Sequence, residues 1–191
     1  MVNAATAVVL GYLIGSIPSA YIIGRLMGKI DVRQEGDGRI SASAVHKRLG
    51  VIPYLLVVVM DVGEGALSIF VATMLTEYQL AILLAGFAAV IGHNWSVFLK
   101  FKGGLGATTI YGVLVYLAWW QVLTAAAIAF ALFLIMKRKK SGLSTAVLII
   151  IVSIILFIQK SPLILVVYPI ILILLMVLKR FQVSRIIPVK S

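Results

Sequence analysis

Long apolar runs separated by short polar breaks make up most of the chain. The first run, residues 4–27, is long enough to cross a hydrocarbon core of about 30 Å as a helix. It carries Gly11, Gly15, Ser16, Ser19 and Ala20 as a small-residue packing face, and Pro18 predicts a bend. Residues 29–50 are the one long polar segment, open to reading as a mixed-charge linker or as a functional or re-entrant loop. Its length, where the other breaks are minimal, favours the second. Further spans are predicted over residues 52–75 and 78–97.

Between Lys102 and the basic run 137–140 lie 34 residues, enough for one long helix or for a hairpin of two short ones. Trp119 and Trp120 sit mid-stretch, where a hairpin would place its interfacial aromatics and its turn, so the hairpin is the expectation. Residues 143–159 and 162–178 complete a predicted set of seven transmembrane helices in a single membrane domain, 1–191.

Composition agrees with this pattern: 62% of residues are apolar, 12% are charged and the mean hydropathy is +1.14. An all-α integral membrane protein is therefore expected rather than a soluble domain. The net charge of +11 is assigned to basic loops at the lipid headgroups, with no nucleic-acid partner. In the seven-helix arrangement sixteen Lys and Arg fall on one side and Lys160 alone on the other. The positive-inside rule then puts the N-terminus outside and the C-terminus in the cytoplasm. No basic stretch precedes the first run, so a removable signal peptide is not expected. Without cysteine and with two histidines, the chain offers neither disulfides nor a thiolate or His-rich metal site.

Chemistry concentrates in residues 92–109, GHNWSVFLKFKGGLGATT. Gly103, Gly104 and Gly106, flanked by Lys102 and by Thr108 and Thr109, suit a phosphate, because glycines let backbone N–H groups approach an oxyanion at the start of a helix. The same pattern also makes an ordinary turn. Gly36 and Gly38, followed by Ser41 and Ser43, form a second glycine-bearing loop predicted on the same face. His93, at the end of a span, is either a packed histidine or a catalyst. Asp61 and Glu64, three residues apart within a span, share one helix face and need a proton or an incoming cation, with Arg39 and Lys102 as candidates. Ser141 reads as a helix N-cap.

The chain resembles the bacterial acyl-phosphate:glycerol-3-phosphate acyltransferases, small seven-helix membrane enzymes, over nearly its whole length. The resemblance rests on GYLIGSIPSAY in the first span, GHNWSVFLKFKGGLGATT, and RQEGDGRISASAVHKRLG, where the family has a loop like G-S-G-N-x-G-A-T-N-x-x-R. Gly36, Gly38, Ala42, Ser43, Lys47, Asp61, Gly65, Gly92, His93, Phe98, Phe101, Lys102, Gly103, Gly104, Gly106, Thr109 and Ser141 match or nearly match. The chain departs at Asp37 and Arg39, at Ala44, at Glu64 in place of a lysine, at Leu105 in place of a lysine, and at Lys179 and Gln182 in place of a C-terminal H-x-x-N.

The resemblance implies transfer of a fatty acyl group from acyl phosphate to the 1-hydroxyl of glycerol 3-phosphate, giving lysophosphatidic acid for phospholipid synthesis. It implies a cytoplasmic-side site in the bacterial cell membrane and no cofactor. Lys47, Lys102 and Ser141 would hold phosphates, and His93 would orient or polarise a reacting group. A diverged paralogue that acts on another phosphorylated substrate or binds lipid without turnover, and a small transporter using Asp61 and Glu64, are the other readings.

Overall fold

The computed structural model describes residues 2–34, 40–136 and 141–186, and every regular element among them is helical. In chain order the α-helices are α1 (Val2–Gly15), α2 (Ser19–Gly28), α3 (Ala42–Leu49), α4 (Val51–Leu75), α5 (Gln79–Asn94), α6 (Ala107–Met136), α7 (Ser141–Ile158) and α8 (Leu163–Ile186), with short 3-10 turns at Val32–Gln34 and Val97–Leu99. Four stretches, 3–28, 51–75, 107–131 and 163–183, are long and apolar enough to cross a membrane, and 79–94 and 145–158 are shorter apolar helices.

The first span is two helices rather than one bent one. Pro18 has no N–H to continue the ladder, and Ser19 restarts the helix after the break at Ser16–Pro18. Backbone groups freed at this depth need partners inside the protein. The Ser16 carbonyl accepts from the Ser96 hydroxyl, and the Ser16 N–H still reaches the Tyr12 carbonyl at 2.9 Å. The break thus becomes a polar node tied to the loop after α5.

Small residues set the spacing of the helices. A Cβ added at Gly15 would collide with the Ala89 backbone and one at Gly92 with the Tyr12 carbonyl, so α1 and α5 touch main chain to main chain. Gly65 and Gly112 do the same for α4 and α6, against the carbonyls of Thr109 and Val62. The largest buried cluster joins Ile69, Leu83, Ile110, Val113, Ile149, Val152 and Leu172 from α4 to α8. Inside it the Tyr168 hydroxyl donates to the Leu83 carbonyl at 2.8 Å.

The polar segment after α2 is ordered by charge at its start. Asp31 accepts from Arg33 at 2.6 and 2.9 Å and from Arg25 at 2.9 Å. The bond to the Arg33 guanidinium holds the Asp31 carboxyl well below its ordinary range. The segment ends in α3, whose N-cap Ser41 accepts from the Ala44 N–H. In α6, two helical segments meet at a kink in the stretch expected to turn, where Ala118 leaves helical geometry (φ −153°, ψ 49°). Trp119 and Trp120 follow it, both exposed.

Candidate functional site

Asp61 and Glu64 lie on the buried face of α4, where their i, i+3 spacing brings them to one side. Each has found a hydroxyl partner. Thr108 Oγ1, in the first turn of α6, donates to Asp61 Oδ2 at 2.8 Å, and Ser19 Oγ, released by the break before α2, donates to Glu64 Oε1. The second oxygen of each, Asp61 Oδ1 and Glu64 Oε2, has no hydrogen-bond partner among the described residues. His93, in the last turn of α5, faces the pair with Nδ1 3.6 Å from Glu64 Oε2.

The glycine loop covers the other side of the imidazole. Lys100 and Phe101 take the left-handed conformation, the Phe101 N–H bonds the Ser96 carbonyl at 2.8 Å, and the chain doubles back onto the end of α5. There the Gly104 N–H bonds the His93 carbonyl at 3.1 Å. A Cβ at Gly104 would run into His93 Nε2, and Gly106 holds φ +77°, a value that favours glycine. The loop delivers Ala107 and Thr108 as the start of α6, so a helix N-terminus with its unpaired N–H groups opens onto the space above His93.

That space is a cavity of about 450 Å³. Its walls include Ser41 and Ser43, Asp61, His93, the run 104–108, Thr145 of α7 and Arg180 of α8. Behind it the end of α8 is fastened to the end of α5. Trp95 Nε1 donates to Gln182 Oε1 at 3.1 Å, Lys179 Nζ sits 4.6 Å from the Trp95 ring centroid, and the Tyr12 hydroxyl donates to the Trp95 carbonyl at 2.9 Å.

Of the residues singled out from sequence, Ser41, Ser43, Asp61, His93, Gly104, Gly106 and Thr108 meet at this cavity. Ser43 is exposed at its rim, 3.0 Å from the Ser41 hydroxyl. Gly103 packs against the His93 carbonyl beneath the loop. Thr109 is fully buried against Gly65, its hydroxyl unpartnered among the described residues. Lys47 on α3 and Lys102 on the loop are exposed and outside the cavity wall. Lys102 is therefore not the cation that meets Asp61 and Glu64; Ser19, Thr108 and His93 are the groups at hand. Ser141 is the first residue of α7, while Gly36, Gly38 and Arg39 lie outside the described residues.

Asp61, Glu64 and His93 put one ligand atom each within 4.8 Å of one another. Two of the three already accept hydroxyl hydrogen bonds, Asp61 from Thr108 and Glu64 from Ser19. Arg180 and Thr145 are the site residues that the sequence pattern missed. Arg180 registers in sequence as a basic residue closing a span, and Thr145 gives no signal of its own.

Comparison with known proteins gives a consistent result. The family model for glycerol-3-phosphate acyltransferase matches residues 5–188. The glycerol-3-phosphate acyltransferase of Bacillus velezensis is 36% identical over 183 residues, 96% of this chain and 93% of that one. That of Shouchella clausii is 38% identical over 131 residues, 68% of this chain, and glycerol-3-phosphate acyltransferase 2 of Moorella thermoacetica is 41% identical over 112, 59% of this chain. These last two matches span less than two thirds of the relatives' own lengths, 64% and 57%. The crystal structure of the integral membrane glycerol 3-phosphate acyltransferase PlsY (YgiH), in its glycerol 3-phosphate form, superposes with a TM-score of 0.82 at 27% identity, covering 96% of this chain and 91% of that one.

Proposed function

The chain belongs to the glycerol-3-phosphate acyltransferase family, and we propose that it is a multi-pass membrane enzyme that moves a fatty acyl group from acyl phosphate to the 1-hydroxyl of glycerol 3-phosphate, giving lysophosphatidic acid and inorganic phosphate. The observation that carries this is the cavity in which His93, the glycine loop and the start of α6 converge. Both substrates bring phosphate dianions. Backbone N–H groups at Gly104 to Thr108 and the Arg180 guanidinium are donors of the kind such groups require. Acyl phosphate is already activated, so the site's task is to position two anions and stabilise charge on the carbonyl oxygen. Ser43 at the rim and Lys47 and Lys102 outside the cavity wall are assigned to the approach side, where cations and hydroxyls draw the substrates in, and Ser141, Gly36 and Gly38 are assigned to phosphate binding.

We place the site on the cytoplasmic side of the bacterial cell membrane, in a single domain with the N-terminus outside and seven crossings. Thr108 at the start of α6 and Thr145 in the first turns of α7 line one cavity. Met136 can lie no more than about 25 Å from Thr145 along the intervening chain. An unbroken α6 would put Met136 about 42 Å from Thr108. Reversal at Ala118 closes that gap and turns α6 into two crossings, which gathers all basic clusters on one face.

The test is product formation by purified protein given palmitoyl phosphate and glycerol 3-phosphate. Lysophosphatidic acid should accumulate. Folded protein that makes none, while acylating another phosphorylated acceptor, would favour the diverged-paralogue reading.

A further inference from the structure

Residues 96–102 form a tight hairpin between the end of α5 and the glycine loop. Ser96 pairs with Lys102 across its neck, and the turn at Val97–Leu99 closes it. Lys100 and Phe101 follow at φ 53° and 61°, a costly conformation for two successive non-glycine residues. Of the six residues from Val97 to Lys102, Leu99 alone is buried, packed on Ala20 and Ile23 of α2 and on Val32 and Ile40. Val97, Phe98 and Phe101 are 41%, 58% and 61% exposed, and Lys100 and Lys102 are exposed beside them.

The depth of the hairpin gives that exposed face its meaning. With 16 residues, α5 spans about 24 Å, short of a hydrocarbon core of about 30 Å. Glu77 and Gln79 mark its opposite, polar end. At the hairpin end the Ser96 hydroxyl donates to the Ser16 carbonyl at the break in the first span, and the whole of α2 lies between that break and Lys29. The hairpin therefore sits at the boundary of hydrocarbon and headgroups rather than in water above it. Aromatic rings suit the apolar side of such a boundary, and lysines reach from it to the phosphates.

We propose that the hairpin is a lipid-binding surface, with Val97, Phe98 and Phe101 in the acyl-chain boundary and Lys100 and Lys102 on the phosphates of anionic lipid headgroups. None of the five lines the cavity, so this surface is separate from the candidate site and stands apart from the acyl-transfer reading. The chain passes from it directly into Gly103 and Gly104, which pack on His93. Lipid contact thus supports the glycine loop from outside.

The test is electron paramagnetic resonance of the full chain with a nitroxide on Phe98→Cys, in bilayers of phosphatidylcholine with or without phosphatidylglycerol. The chain has no cysteine of its own. Labels on Val59→Cys, at the exposed face of α4, and on Lys160→Cys calibrate lipid and water. The Phe98 label should favour oxygen over a water-soluble nickel complex, as the Val59 label does. Replacing Lys100 and Lys102 with Gln should move it toward water in the phosphatidylglycerol bilayer and leave it in place in phosphatidylcholine, since each lysine favours an anionic surface about fivefold. A Phe98 label as wet as that at Lys160 overturns the proposal. So does one that the double variant leaves unmoved in phosphatidylglycerol, or one shielded from both reagents, the mark of a protein partner. A shift reproduced by inorganic phosphate in phosphatidylcholine alone makes the lysines a free-phosphate site and overturns it too. If the melting curve shows that Phe98→Cys does not fold, Val97→Cys is read by the same criteria.

Discussion

Replacing Gly104 with alanine adds one methyl group against the His93 ring. The new Cβ would overlap His93 Nε2, lie 3.0 Å from His93 Cδ2 and 3.1 Å from the Ile40 carbonyl oxygen. Main chain closes one side, so the imidazole must give way. Overpacking of this kind costs about 1–3 kcal/mol when the surroundings resist. Here the ring takes the displacement, and stability falls toward the low end of that range. The cost to catalysis is larger, because a shift of about 1 Å in a reacting group can lower the rate about 100-fold. Gly63→Ala is the matched control: it lies in α4 with nothing within 4 Å of its added Cβ, and should keep full activity with a melting temperature equal or higher. Initial rates and thermal melting of both variants in detergent make the comparison. Gly104→Ala with wild-type turnover would refute the assignment of the reaction to the part of the cavity lined by Gly104 and His93.

Other consequences follow from the same geometry. Thr108→Val removes the donor to buried Asp61 and should cost about 1–3 kcal/mol, a fall of about 5 °C in melting temperature, whereas Thr109→Val deletes a buried hydroxyl that has no described partner and should be neutral or stabilising. Arg180→Gln should raise KM for the phosphate-bearing substrates about 10-fold, equivalent to about 1.4 kcal/mol, with a smaller change in kcat; an unchanged KM would remove Arg180 from phosphate binding. The chain contains no cysteine, so single cysteines report topology without background. Cysteines in place of Glu77, Trp120 and Lys160 should react with an impermeant thiol reagent in intact cells, and one in place of Lys100 only after permeabilisation; Trp120→Cys protected in intact cells would contradict reversal at Ala118.

The helical, membrane-embedded architecture was legible because the bilayer forces it: long apolar runs have no other way to satisfy their backbone groups. Pro18 announced a distortion, but not that Ser19 would be turned by it onto Glu64, since that depends on how α2 packs against α4. Ala118 carries no signal of its own, alanine being the strongest helix former, and only Trp119 and Trp120 beside it marked the place. At the site, His93 and the glycine loop were visible as residue types out of place in an apolar run. Lys102 was misleading as a partner for the acidic pair because left-handed Lys100 and Phe101 turn the loop so that its glycines, not its lysine, face the cavity. Arg180 was hidden because a cation in the last turns of a span has a sufficient explanation in topology.

The measurement that bears most directly on the account is phosphate release from palmitoyl phosphate, with and without glycerol 3-phosphate, by wild type and by His93→Ala of equal melting temperature. Release that depends on glycerol 3-phosphate in the wild type and falls at least about 100-fold in His93→Ala is the predicted result. Release that ignores the acceptor, or that persists undiminished without the imidazole, would contradict it.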